Sequence, residues 1–158
     1  MKRTLFICLT TIALLMTSLS ANAEVKYFKK YAGDKEVTYV YISKFMLNMA
    51  RTMGGKDFNG KDFGAIMKKL NSLQILSSET KAARARLKKD INSYVEQEHY
   101  NLLMEMDDDG DKVTIHHKEG KQTSIIIMVT DENDETTAMI FTGAFTTKDL
   151  EALAKSYK

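Results

Sequence analysis

The sequence predicts an α+β fold: an antiparallel sheet, made of a four-strand C-terminal meander plus N-terminal strands, packed with three to four helices. Three observations lead there. Four strand-like runs crowd into residues 101–144 with only short polar turns between them. Three helical patterns and two further strand-like runs precede them, and a capping sequence follows. Strands gathered at one end of a chain favour an antiparallel α+β sheet over a doubly wound parallel one.

The first residues are not part of that pattern. Met1, Lys2 and Arg3 are a short positive stretch, Thr4 to Ser20 is apolar and uncharged, and Ala21-Asn22-Ala23 supplies small residues. This is the three-part pattern of a secretory signal peptide, with cleavage expected after Ala23. The apolar run is short for a membrane span and no stop-transfer pattern follows. Cys8, the sole cysteine, lies inside the apolar run behind the bulky Ile7, so no lipid anchor is expected. Residues 24–158 are expected to form a single α+β domain, periplasmic or secreted, with no transmembrane segment. That length can bury a core without disulfides.

Glu36 to Ile42 is rich in β-branched and aromatic residues and reads as a strand. Ser43 caps a helix whose Met46, Met49, Ala50 and Met53 fall on one face, a stripe read as core rather than as a methionine-lined groove. Gly54-Gly55 ends it. The tandem Gly-Lys-Asp-Phe of residues 55–64 reads as a connection, since two copies make no repeat architecture. A short helix is predicted over Phe63 to Leu70, behind Asp62, and a strand over Ser72 to Ser77.

The longest helix is expected behind Ser78, its apolar face formed by Ala82, Ala83, Leu87, Ile91, Tyr94 and Val95. Lys81, Arg84 and Lys88, flanked by Arg86 and Lys89, make the other face basic. The meander strands are 101–106, 112–118, 122–130 and 135–144, and Asp109-Gly110 carries the strongest hairpin signal among their turns. A last helix, Thr147 to Tyr157, starts at the Thr-Thr-Lys-Asp cap.

Charge is distributed unevenly. Glu24 to Val95 holds 15 Lys/Arg against 7 Asp/Glu, and Glu96 to Lys158 holds 6 against 14. Complementary packing of the two halves is the simplest reading; a bipolar surface that orients partners is the other. Export argues against nucleic acid as a partner, and contact of the basic helix with a membrane surface is not expected.

Little in the sequence points to catalysis. The acidic run Glu105 to Asp111 fails as an EF-hand, because His116 stands where a bidentate Glu is required. It reads instead as a carboxylate-rich hairpin. His116 and His117 are adjacent on a strand and point to opposite faces, so they do not chelate one metal. His117 is expected to continue the Val113 and Ile115 face toward the core edge, with His116 and Thr114 outward. No nucleophile elbow, phosphate loop or dinucleotide fingerprint is present. No catalytic, cofactor-binding or metal-ligating residue is assigned, and no cofactor is expected.

The runs VTYVYISKFMLNMA (37–50), FGAIMKKLNSLQILSSE (63–79), YNLLMEMDDDGDKVTIHHKEG (100–120) and TTAMIFTGAFTTKDLEAL (136–153) resemble, in the same order, a Bacteroidetes family catalogued as domain of unknown function 4252. The resemblance implies exported or periplasmic proteins, some of them lipoproteins, of compact α+β form without an established activity. It defines no catalytic or binding residues to carry over. The function expected is that of a non-enzymatic binding or interaction protein of the cell envelope, with an envelope protein as partner. The alternatives are a carboxylate-dependent glycan or peptidoglycan hydrolase and a binder of a small apolar ligand.

Overall fold

The structure, a computed structural model, describes residues 23–53, 68–120, 123–131, 135–146, 148 and 149. In chain order the elements are α1 (Ala23–Phe28), a 3-10 turn (Lys29–Tyr31), β1 (Thr38–Ser43), α2 (Lys44–Met53), β2 (Leu70–Ser78), α3 (Lys81–Gln97), β3 (Asn101–Asp108), β4 (Asp111–Lys118), β5 (Thr123–Asp131) and β6 (Thr136–Gly143). Among the described residues six strands form one sheet in the order β1-β2-β6-β5-β4-β3, and every neighbouring pair is antiparallel. The fold is therefore α+β, as the clustering of strands predicts. No helix among the described residues is long and apolar enough to cross a membrane.

Strand alternation sorts side chains between two faces. On one face Leu76, Ala138, Ile140, Ile126 and Met128 pack beneath Ala83, Leu87, Ile91, Tyr94 and Val95 of α3 and beneath Phe28 and Tyr31. Nine of these are at most 2% exposed, so this is the main core. On the other face a smaller cluster joins Leu47 of α2 to Leu70, Ile125 and Phe145. The chain turns toward it directly after β6. There a Cβ at residue 143 would run into the Lys69 carbonyl oxygen and the Leu70 Cα, which explains Gly143.

The segment Ala23–Tyr31 carries no strong pattern of its own, and sequence reading leaves it without an element. Its structure comes from α3. Phe28 and Tyr27 stack against Tyr94 with ring centroids 5.0 and 4.4 Å away. The Tyr31 hydroxyl donates to Asp90 Oδ2 at 2.8 Å, Lys30 Nζ meets the same oxygen at 2.6 Å, and Arg86 reaches Asp34 at 2.5 Å. Burial opposes ionisation of Asp90, but the hydrogen bonds from Lys30 and Tyr31, with the charges of Lys30 and Arg86, hold its pKa below the ordinary value. Burial pushes the Tyr31 hydroxyl well above its ordinary value, with Asp90 adding to the effect.

Several local expectations are corrected. The N-cap of α3 is Thr80, whose side chain accepts from the Ala83 N–H, and not Ser78. Ser78 instead ends β2 and donates to the Glu36 carbonyl. Met46 and Met49 of the α2 methionine stripe are not core: both are exposed, and Leu47 is the buried residue among the described side chains of that helix. Thr114 and His116 do not point to solvent. They lie on the face that α3 covers, where Thr114 is buried and His116 half-buried, because the register pairs them with Met128 and Ile126. Leu70, expected at the end of a helix, is the first residue of β2; the rest of that predicted helix up to Met67 and the tandem of residues 55–64 lie outside the described residues.

The closing helix also falls outside them beyond its first turn. Its cap is visible. Asp149 Oδ2 accepts from both the N–H and the hydroxyl of Thr146, and the Asp149 N–H donates to the Thr146 carbonyl. The carboxylate thus makes its half of a capping box, while the Thr146 hydroxyl donates to Asp149 instead of accepting from its N–H. Lys69 also pairs with Asp149 at 2.7 Å, and this bridge ties the basic half of the chain to the acidic half. The hydrogen bond from Lys69 leads in holding the Asp149 carboxyl at about 2.

Candidate interaction surface at the β3 edge

β3 is built between two tight structures. At its start, α3 ends in a Schellman motif: the Tyr100 N–H donates to the Val95 carbonyl and the His99 N–H to the Glu96 carbonyl. The position that motif sets left-handed is occupied by His99, with φ 57°, where glycine is commonest. At its far end, Asp109 (φ 51°) and Gly110 (φ 97°) join Asp108 to Asp111 with two left-handed residues. That is the two-residue turn whose twist matches paired strands, as the Asp-Gly signal predicts.

Between these ends every residue of β3 is exposed. Leu102, Leu103, Met104 and Met106 are 45–53% exposed, an unusual apolar density for an open strand. A register shift between Leu102 and Met104 sets Leu103 outside the paired rows. β3 pairs with β4 on one side, and its other edge carries no strand among the described residues.

Met104 also begins an apolar row across the whole sheet. By register it neighbours Ile115, then Ile127, Met139, Ile75 and finally Val40 on β1. The four middle residues are half-buried, whereas Met104 and Val40 at the two edges are exposed. Asp107, Asp108, Asp109 and Asp111 crowd the hairpin end of the strand. Glu105 is engaged by Lys112 at 2.7 Å, which lowers the carboxyl pKa through the hydrogen bond and then the charge.

The residues that invited a chemical reading are placed as follows. The acidic run forms the end of β3, its turn and the start of β4. His116 and His117 face opposite sides of the sheet, and burial lowers the His116 pKa while Glu105 partly opposes this. His117 is buried, with Nε2 3.9 Å from Glu119 Oε1. Among the described residues no group of three or more His, Cys, Asp or Glu is arranged to hold a metal ion. Carboxylates at Asp34, Asp90, Glu98, Glu105 and Asp149 each pair with a Lys or Arg.

Sequence reading missed the exposed β3 edge because its apolar run, Leu-Leu-Met-Glu-Met, looks like that of a covered strand. Its position at the edge is set by strand order, which local pattern does not encode. Comparison with curated proteins and with solved structures returns no match. The family model for the domain of unknown function DUF4252 matches residues 31–153, from Tyr31 before β1 to beyond the closing cap, and the chain belongs to that family.

Proposed function

We propose that this chain is an exported, non-enzymatic binding protein of the cell envelope whose working surface is the β3 edge, where another envelope protein docks. The observation that carries this reading is a strand exposed at every residue that presents four large apolar side chains. Large apolar groups gathered on an open edge are costly to leave to solvent and prone to unwanted pairing, and a regular partner resolves both. The signal-peptide pattern of residues 1–23 supports the compartment. Removal of the leader after Ala23 leaves Glu24 in α1, where its carboxylate accepts a hydrogen bond from Tyr100 at 3.3 Å.

The test is site-specific photocrosslinking in the native cell. A photoreactive residue at position 103, on β3, is expected to give a discrete adduct, and one at the exposed position 89, on α3, is expected to give none. Absence of an adduct at 103, or equal adducts at both positions, removes the reading.

A further inference from the structure

We infer that the β3 edge takes its partner by strand addition, and that the occupant is an extended segment of another protein, basic at its N-terminal end and apolar beyond it. This rests on the proposed binding role and adds the chemistry of the partner. The backbone of the outer edge of β3 is a row of donors and acceptors without a strand partner among the described residues, and such an edge templates an incoming strand. The strand is bounded at both ends, by the Schellman motif before it and the Asp109-Gly110 turn after it, and its one irregularity is the register shift at Leu103.

Charge gives the direction. Every pairing in this sheet is antiparallel, so an added strand that continues it runs opposite to β3. Its first residues then lie beside Asp107, Asp108 and the Asp109 turn, and its later residues beside Met104, Leu103 and Leu102. Lysine or arginine at the start meets the carboxylates, and apolar residues after them meet the leucines and methionines. Specificity comes from these alternate side chains, while affinity comes from the main chain.

The same carboxylates disfavour a second copy as the occupant. Antiparallel self-pairing in which residue 102 faces 108 sets Glu105 against Glu105, and the register in which 104 faces 108 sets Glu105 against Asp107. Like charges directly opposite across a strand pair destabilise it. Charged groups on an edge are a recognised guard against such pairing, and here they disfavour the chain itself relative to a basic strand.

The experiment is amide hydrogen exchange on the mature chain with a synthetic peptide of about ten residues, enough to span β3. Its first three residues are lysine or arginine and the rest alternate valine and threonine. Exchange is expected to slow along residues 102–108 and to stay unchanged along β1. The double variant Asp107→Asn with Asp108→Asn is expected to bind about threefold to tenfold more weakly. A peptide of reversed order, basic at its C-terminal end, is expected to bind more weakly than the original.

Unchanged exchange along β3, equal protection of β1, or indifference to peptide order overturns strand addition by a basic segment. Protection of β3 without peptide, rising with protein concentration alongside a dimer mass, overturns it in favour of a second copy. A discrete photocrosslink from position 103 that persists despite peptide failure leaves the binding role standing and removes only this mode. Loss of that crosslink removes both.

Discussion

The two edges of the sheet are finished in opposite ways. β1 is six residues long and is stitched down at each end. Before it, Val37 is buried and the Glu36 carbonyl accepts from Ser78; after it, Ser43 passes straight into α2, whose Leu47 reaches the second core. Midway, the Tyr39 hydroxyl donates to Gln74 at 3.1 Å. β3 is eight residues long and has no comparable cover. Its order comes from pairing with β4 and from the turns at its ends. β3 leaves all eight of its side chains exposed, whereas β1 exposes three of six, Val40 and Tyr41 among them.

The largest effect that tests this contrast lies in the sheet centre. Ile140 is fully buried between β2 and β5, and Ile140→Ala is expected to cost about 3 kcal/mol in denaturant unfolding, whereas Met106→Ala on β3 costs under about 0.5 kcal/mol. Comparable losses at the two positions would mean that β3 is covered. Next is the latch of the N-terminal segment. Tyr31→Phe removes the hydrogen bond to Asp90 and should cost about 1 kcal/mol. Exchange should then quicken at residues 24–31 and stay unchanged along β3; quickening on β3 would show that the two ends of the sheet are coupled.

Smaller changes act at the β3 border. His99→Gly relieves a left-handed position and is expected to raise stability by about 0.5 kcal/mol. A loss instead would mean that the His99 side chain anchors the strand. The smallest effect is the pH response of His116. Its folded pKa is below the unfolded value of 6.5, so the unfolded chain takes up its proton first. The His116 contribution is therefore fully present above pH 6.5 and is lost as pH falls from there through the folded value. His116→Gln should flatten the stability curve in that window, and an unchanged curve would place the imidazole in solvent.

The sequence made the elements legible and left their neighbours unreadable. All six strands are legible as apolar runs between polar turns, although β3 carries no β-branched residue and β5 is continuously apolar at its centre, and Asp109-Gly110 announces its turn through residues that tolerate positive φ. What local pattern lacks is the lateral order of strands. Nothing in Leu102 to Met106 distinguishes an edge from an interior strand. The methionines of α2 follow the spacing of a buried face, yet Met46 and Met49 are exposed, and among the described side chains of that helix only Leu47 is buried. Thr114 and His116 are polar residues on a covered face, an override of hydropathy by register. α1 was unreadable because its helix depends on Tyr94, Asp90 and Arg86, some 60 positions further along the chain.

The place of β6 in the sheet also sets an order of events in time. β3 to β6 follow one another as hairpins, and such short-range pairings close quickly. β2 can pair early with β1, but its other neighbour is β6, and the Ser72–Thr142 hydroxyl bond spans 70 residues. A chain emerging from its N-terminus therefore covers the apolar face of α3 only with earlier residues such as Phe28, Tyr31 and Leu76 until β5 and β6 have appeared. Only then can β2 meet β6 and the two halves of the sheet join.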